Sequence, residues 1–169
     1  MTEELPYLSG YEPHLIDSAR RLLEENRLGE VILKKYPHAH GVRSDKALYD
    51  YVISLKNAFL KQSSPLSRIV YDDRISVLQQ ALGQHRFVTR VQGGRLKAKN
   101  EIRIASVFKK MPAEFLQMIA VHELAHLREK DHNRAFYKLC THMAPDYFQL
   151  EFDTRLYLTH LDQNGPLYR

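Results

Sequence analysis

The chain has 169 residues, of which 44% are hydrophobic and 27% charged, and its formal net charge is +5. This balance is typical of a globular protein and excludes a disordered or fibrous chain. The acidic start predicts no secretory signal, and no apolar run approaches the ~18 residues that a membrane span needs. Because Cys140 is the single cysteine, no internal disulfide is possible, and we expect a cytoplasmic protein.

The first 64 residues predict a helical portion that packs onto the rest of the chain. Pro13 suits the first turn of a helix, and apolar residues follow it at helical spacing. Ser44 or Asp45 is expected to cap a later helix. Gln62-Ser63-Ser64-Pro65 is the best candidate boundary, so we predict two portions, 1–64 and 65–169.

Two histidines lie in a loop of the N-terminal portion, in the run His38-Ala39-His40. Their spacing is compatible with a second metal site. Loop histidines are more often exposed to solvent, and we expect that here.

The middle of the chain predicts a small antiparallel sheet. Residues 67–71 have strand character, whereas 75–82 favour a short helix. Residues 86–92 and 101–106 alternate between apolar and polar, and Gly93-Gly94 supplies a turn that would join them as a hairpin. The edge of such a strand beside a metal helix can bind an extended peptide.

The run His122-Glu123-Leu124-Ala125-His126 has the zinc-hydrolase pattern H-E-x-x-H. On a helix that begins at Pro112, His122 and His126 lie one turn apart, so both imidazoles can bind one ion. Glu123 projects about 100° round the helix from His122, where its carboxylate can take a proton from an activated water. The pattern predicts a metal-dependent hydrolase with one Zn²⁺ per chain.

His132 is the favoured third ligand, although a continuing helix would rotate it about 600° away from His126. The helix must therefore stop near 127–130. Since no Gly or Pro marks that stop, Lys130 or Asp131 is expected to supply an unusual, left-handed backbone. A further helix is predicted over 133–143.

The last helix follows Pro145 and carries the rival third ligands, Glu151 and Asp153. A carboxylate from a later helix would give a thermolysin-type arrangement, but a local histidine needs less long-range positioning. The tail, residues 163–169, is expected to fray.

The run from His122 to Tyr137, H-E-L-A-H-L-R-E-K-D-H-N-R-A-F-Y, resembles the YgjP-like (DUF45) family of bacterial metallopeptidases, related to the SprT-like and minigluzincin-type zincins. The resemblance is specific over about 102–136. It implies a zincin-like α+β fold with N-terminal helices, a small antiparallel sheet, the H-E-x-x-H helix and C-terminal helices. It implies His122, His126 and His132 as zinc ligands and Glu123 as the catalytic base, and it does not imply a substrate.

Positive charge is concentrated in residues 65–110, which carry 10 Lys and Arg against 3 Asp and Glu. One interpretation is a solvated sheet face whose lysines discourage aggregation. The alternative is a surface that binds an anion or nucleic acid, by analogy with SprT-like relatives that act on proteins attached to DNA. We call these residues the basic surface: Arg86, Arg90, Arg95, Lys97, Lys99 and Arg103, followed by Lys109 and Lys110.

Three functions are compatible with these features. The leading hypothesis is a zinc-dependent endopeptidase acting on protein or peptide substrates. The second is hydrolysis of a nucleotide or other small anion held by the basic surface. The third, a structural metal in a nucleic-acid-binding module, is disfavoured because such a site does not need the carboxylate of Glu123. The candidates for stabilising an oxyanion are Tyr137, Tyr147, Arg134 and His142.

Overall fold

The structure, a computed structural model, describes residues 4–76, 91, 92, 95, 96 and 100–169, with only the backbone of the four isolated residues. Six α-helices lie in this part of the chain: α1 (Pro13–Glu24), α2 (Leu28–Lys35), α3 (Asp45–Phe59), α4 (Ala113–Ala125), α5 (Arg134–Met143) and α6 (Tyr147–Asn164). The described strands are β1 (Arg68–Asp72), β2 (Val91–Gln92), β3 (Arg95–Leu96) and β4 (Glu101–Ala105). Two 3-10 helices are Pro6–Leu8 and Ser106–Lys110.

The α+β class is confirmed, but the pairing predicted for the sheet was partly wrong. Strand β4 pairs with β1, and the two run parallel, with Arg68 opposite Glu101 and Asp72 opposite Ala105. Strands β2 and β3 form a separate antiparallel pair. Alternation identifies a strand with one buried face, but it does not specify the partner strand. The helix predicted over 75–82 falls almost wholly outside the described residues.

Helix α4 is the centre of the core and contacts α3, α5, α6 and β4. Its residues are buried on nearly every side, as a helix that is apolar all round should be. The buried residues are Phe115, Leu116, Met118, Ile119, Ala120, Val121, His122, Leu124 and Ala125. The helix that carries His122 is therefore held rigidly by its surroundings.

Helices of the N-terminal portion share that core. Leu48 and Val52 of α3 are fully buried in the same cluster as α4. The predicted cap is confirmed, since Ser44 Oγ accepts a hydrogen bond from the Ala47 amide at 3.1 Å. The boundary between the two portions stays a prediction.

The prediction that the C-terminal tail frays was wrong. Tyr168 is buried, and its hydroxyl donates to the carbonyl oxygen of Tyr36 at 2.7 Å. Such a ring combines apolar contact with one hydrogen bond, which fixes an otherwise irregular segment. Within the described ranges, no helix is long and apolar enough to cross a bilayer.

Candidate active site

Three histidines meet where helix α4 ends. His122 is buried in the last turn, His126 follows at the end of the helix, and His132 comes from the loop before α5. Their Nε2 atoms are 3.2 Å apart for His122 and His126, 3.1 Å for His126 and His132, and 3.3 Å for His122 and His132. Among the described residues, these three side chains form the one group arranged to hold a metal ion.

Contacts at the Nδ1 atoms hold two of these rings in place and set the tautomer of His126. His122 Nδ1 lies 2.8 Å from the hydroxyl oxygen of Tyr147, and His126 Nδ1 lies 2.9 Å from the carbonyl oxygen of Glu129. A carbonyl oxygen only accepts, so the His126 proton must be on Nδ1. With Nδ1 donating, Nε2 presents its lone pair to the other rings, as a metal ligand requires.

The spacing of the nitrogens fits a divalent metal ion. The three Nε2 atoms are 3.1–3.3 Å apart, and lone pairs facing one another at such distances repel unless a cation lies between them. An ion bound tetrahedrally at about 2.0–2.1 Å from each nitrogen would separate the nitrogens by about 3.3 Å. Burial also lowers the pKa of His132, which favours the neutral form that binds metal. The donor set therefore suits a metal that accepts imidazole.

The chain between His126 and α5 reverses without a left-handed residue. Among the described residues other than glycine, only Asn26 has a positive φ, so the expectation for Lys130 or Asp131 was wrong. The loop is long enough to turn through several bends. Its end is set by Asn133, whose side-chain oxygen accepts from the Phe136 amide at 2.9 Å and caps α5.

The two rival ligands are not part of the histidine group. Asp153 is buried and accepts hydrogen bonds from Lys35 Nζ at 2.8 Å, from the Tyr36 hydroxyl and from Gln149 Nε2 at 2.9 Å. Glu151 accepts from the Tyr11 hydroxyl at 3.4 Å and lies 3.5 Å from an Arg155 nitrogen. Both carboxylates therefore have other partners.

Tyr147 was an oxyanion candidate in the sequence, but it contacts the Nδ1 side of His122, away from the nitrogen that faces the other histidines. The ring is completely buried and its hydroxyl meets His122 Nδ1. Burial and the charge of Glu151 raise the pKa of Tyr147 well above its usual value, so the phenol stays protonated. A phenol that accepts from His122 Nδ1 holds the ring and leaves the Nε2 lone pair for a metal, as the partners of metal-binding histidines do. No local pattern could predict this contact, because 25 positions separate the two partners.

The other oxyanion candidates lie at different distances from the histidines. Tyr137 is half-buried, and its ring centroid is 6.5 Å from that of His132. His142 is exposed and packs edge-on against Phe59 at 5.6 Å. Arg134 is exposed at the start of α5. Glu123 is half-buried and directly follows His122 on α4.

A cavity of about 270 Å³ opens between the N-terminal loop and α6. Tyr137 connects it to the histidines, because its ring lies 5.3 Å from Phe148 at the cavity and 6.5 Å from His132. We call this space the α6 cavity. It is lined by Ser9, Gly10, Tyr11, Phe148, Glu151 and Arg155.

Three members of the basic surface have described side chains: Arg103, Lys109 and Lys110. Of these, Arg103 is held by two carboxylates. It donates to Asp72 at 2.6 Å and pairs with Glu101 at 2.9 Å, so these carboxylates hold it on the sheet. The Arg74 amide and the Arg103 guanidinium together lower the pKa of Asp72. The side chains of Arg86, Arg90, Arg95, Lys97 and Lys99 lie outside the described residues.

His40 differs from the solvent-exposed loop histidine that was expected. It is buried, its Nδ1 accepts from the Val42 amide at 2.9 Å, and its Nε2 donates to the Phe108 carbonyl oxygen at 2.7 Å. Burial lowers its pKa. Both nitrogens are used by the backbone, and the prediction of exposure was wrong for His40, although His38 is exposed.

Comparison with known proteins places this site in a family. The family model described as YgjP-like, metallopeptidase domain matches residues 88–153, which include the three histidines and Glu123. The chain is 57% identical over 157 residues to a UTP pyrophosphatase of Escherichia coli (strain K12), covering 93% of this chain and 94% of that protein. No solved structure matches it significantly. The chain belongs to the YgjP-like family of metal-dependent hydrolases.

Proposed function

We propose that this protein is a nucleotide hydrolase that splits the bond between the α- and β-phosphates of UTP and releases pyrophosphate. The observation that carries the proposal is the meeting of three imidazole Nε2 atoms beside Glu123, in a chain 57% identical to a UTP pyrophosphatase. This is the second of the three functions inferred from sequence. It takes precedence over the peptidase hypothesis because the relative covers nearly the whole chain.

We assign His122, His126 and His132 as the ligands of one Zn²⁺ per chain. Neutral imidazoles suit zinc, and three protein ligands leave a coordination position open, as in catalytic sites. The bound ion would supply Lewis acidity to a phosphoryl oxygen and to water. Tyr147 and the Glu129 carbonyl hold two of the rings in the orientation that this role needs.

Glu123 is the proposed general base. Its carboxylate takes a proton from the attacking water, whose oxygen forms a bond to the α-phosphorus. The bond from that phosphorus to the bridging oxygen breaks, and the bridging oxygen leaves with pyrophosphate. The products are UMP and pyrophosphate, so one water is consumed for each UTP.

The test is the substitution Glu123→Gln. We expect the variant to keep its metal and to lose pyrophosphate release from UTP by about 100-fold or more, since a general base contributes about 10²–10⁴-fold. Glu114→Gln, on the exposed side of the same helix, is the matched control and should retain activity. Full activity in Glu123→Gln would remove the catalytic assignment.

Peptide hydrolysis is the second candidate, and the description of the matching family model favours it. The same purified protein should be given UTP and a mixture of unstructured peptides in parallel. Peptide cleavage that depends on Glu123, without pyrophosphate release from UTP, would replace the nucleotide proposal with the peptidase one. DNA-stimulated cleavage would indicate a protease of the SprT type.

A further inference from the structure

We infer that the α6 cavity binds the base of the nucleotide, with Glu151 and Arg155 hydrogen-bonding to the base edge and Phe148 stacking on its face. The inference rests on the proposed function and adds the part of the site that selects the substrate. Its ligand is the uracil ring of UTP.

The charge in the cavity favours a base over a phosphate. Glu151 Oε1 and Arg155 Nη2 are 3.5 Å apart, and their side chains are only 15% and 13% exposed. The two charges offset each other, so the pair has little net attraction for a triphosphate. A neutral ring that both donates and accepts hydrogen bonds fits such a pair, because one partner accepts and the other donates.

Neighbouring groups hold the pair in place. The Tyr11 hydroxyl donates to Glu151 at 3.4 Å, and the Arg155 guanidinium lies 5.5 Å from the centre of the Tyr11 ring. Arg155 also donates to the carbonyl oxygen of Tyr7 at 3.4 Å. Because these contacts fix both side chains, the acceptor and donor are preorganised for a planar ligand.

The uracil ring has a matching edge. Its N3–H is a donor that lies between two carbonyl acceptors. Glu151 can accept from N3–H while Arg155 donates to an adjacent carbonyl, as in enzymes that bind the Watson–Crick edge of a base in a pocket. This gives selection, because an analogue without a donor at N3 leaves a lone pair of the little-exposed carboxylate without a hydrogen bond.

Phe148 supplies the stacking surface. It is 55% exposed, the most exposed of the large hydrophobic side chains in the described part of the chain. It lines the cavity and contacts Tyr137, whose ring lies beside His132. A base on Phe148 would therefore have its sugar and phosphates directed past Tyr137 toward the histidines. Base–aromatic stacking contributes about 1–3 kcal/mol.

The test compares UTP with 3-methyluridine triphosphate, which lacks the N3 proton. In the wild-type enzyme we expect kcat/KM to fall by about 10–150-fold on methylation, the range of a hydrogen bond to a charged group. In Glu151→Ala the two substrates should become nearly equal. The ratio is taken within each enzyme, so any loss of metal through Tyr147 cancels. Asp162→Ala removes an exposed carboxylate from the same helix and should keep the wild-type ratio.

The outcomes separate the two proposals. If the wild type releases no pyrophosphate from UTP, the proposed function fails. If it hydrolyses UTP and its methylated analogue equally, or if Glu151→Ala keeps the wild-type ratio, base binding by Glu151 is wrong while the nucleotide function stands.

A second variant tests the stacking surface independently. Phe148→Ala should reduce kcat/KM for UTP by about 5–150-fold, from the stacking energy above. Hydrolysis of ribose 5′-triphosphate, which has no base, should be unchanged. An equal loss for both substrates would show that Phe148 supports the fold and not the base.

Discussion

Two groups of histidines in this chain have opposite surroundings. In the N-terminal portion, both ring nitrogens of His40 bind backbone groups, the Val42 amide and the Phe108 carbonyl. At the end of α4, Nδ1 of His122 contacts the Tyr147 hydroxyl and Nδ1 of His126 contacts the Glu129 carbonyl. Both rings turn Nε2 toward each other and toward His132. A histidine whose two ring nitrogens both bind backbone groups holds a loop in place. A histidine whose Nε2 is turned toward other imidazoles is arranged to bind metal.

Sequence context distinguished the two groups in part, because the H-E-x-x-H helix predicted a metal site whereas the loop pair was expected to be exposed. The pair at 38 and 40 is close enough to suggest a metal site, yet His40 is buried with its hydrogen bonds complete. The motif at 122–126 has both histidines on one helix face and a third within one short loop. Convergence of three nitrogens, and not the presence of neighbouring histidines, is what the chemistry needs.

Removing one histidine from each group gives the largest expected contrast. His126→Ala should abolish hydrolysis and weaken metal binding by more than about 100-fold. Loss of a group that only orients a ligand costs about 10–100-fold in affinity, and loss of the ligand itself should cost more. His40→Ala should keep the metal but lower the free energy of unfolding by about 1–3 kcal/mol, since two buried backbone groups lose their partner. Metal content after dialysis and urea unfolding measure the two effects. Equal metal loss in both variants would contradict the distinction.

A smaller loss of metal affinity is expected when the partner of His122 Nδ1 is changed. Tyr147→Phe keeps the buried ring but removes the hydroxyl that His122 Nδ1 contacts, so metal affinity should fall by about 10–100-fold. Competition with a chelator measures the affinity. Tyr49→Phe alters a partly exposed tyrosine elsewhere and serves as the control. An unchanged affinity in Tyr147→Phe would mean that the hydroxyl does not position the ligand.

The smallest expected effect concerns the ion pair between Arg103 and Asp72. Like His40, Arg103 is held by partners within the fold. Its neighbour Asp72 has a lowered pKa, so Asp72 stabilises the fold above its usual pKa of about 3.9 and loses that contribution as pH falls through the folded-state value. Asp72→Asn should reduce the free energy of unfolding by about 1–3 kcal/mol at neutral pH.

Urea unfolding at pH 7 and near pH 3 checks this dependence on pH. The difference between wild type and Asp72→Asn should shrink at the acid end. Asp73→Asn changes the exposed neighbour and provides the comparison. If the difference in free energy of unfolding stayed constant with pH, the contribution of Asp72 would come from its packing and not from its charge.

Short sequence patterns correctly predicted the features that depend on residues close together in the chain. The helix of His122 and His126, the reversal that returns His132 and the helix after it all follow from spacing within about twenty residues. The α+β class and the YgjP-like family were likewise predicted correctly. The cap at Ser44 was predicted too, because capping depends on residues three positions apart.

The features that sequence reasoning missed depend on distant partners. Strand β4 pairs with β1 from 33 positions away, and alternation could not identify that partner. Tyr11 meets Glu151 across 140 positions, and Tyr168 meets Tyr36 across 132. Such contacts arise from the packing of whole helices, so no short stretch encodes them.

The loop at Ser9–Tyr11 forms one wall of the α6 cavity, and Arg155 lies just beyond the region that the family model matches, residues 88–153. The histidines and Glu123 lie inside that region. The proposed base-binding surface thus combines Phe148 and Glu151, inside the matched region, with Ser9–Tyr11 and Arg155, outside it. Exchanging the opening residues for those of another family member should therefore alter which compound is accepted while leaving the bond-breaking step intact.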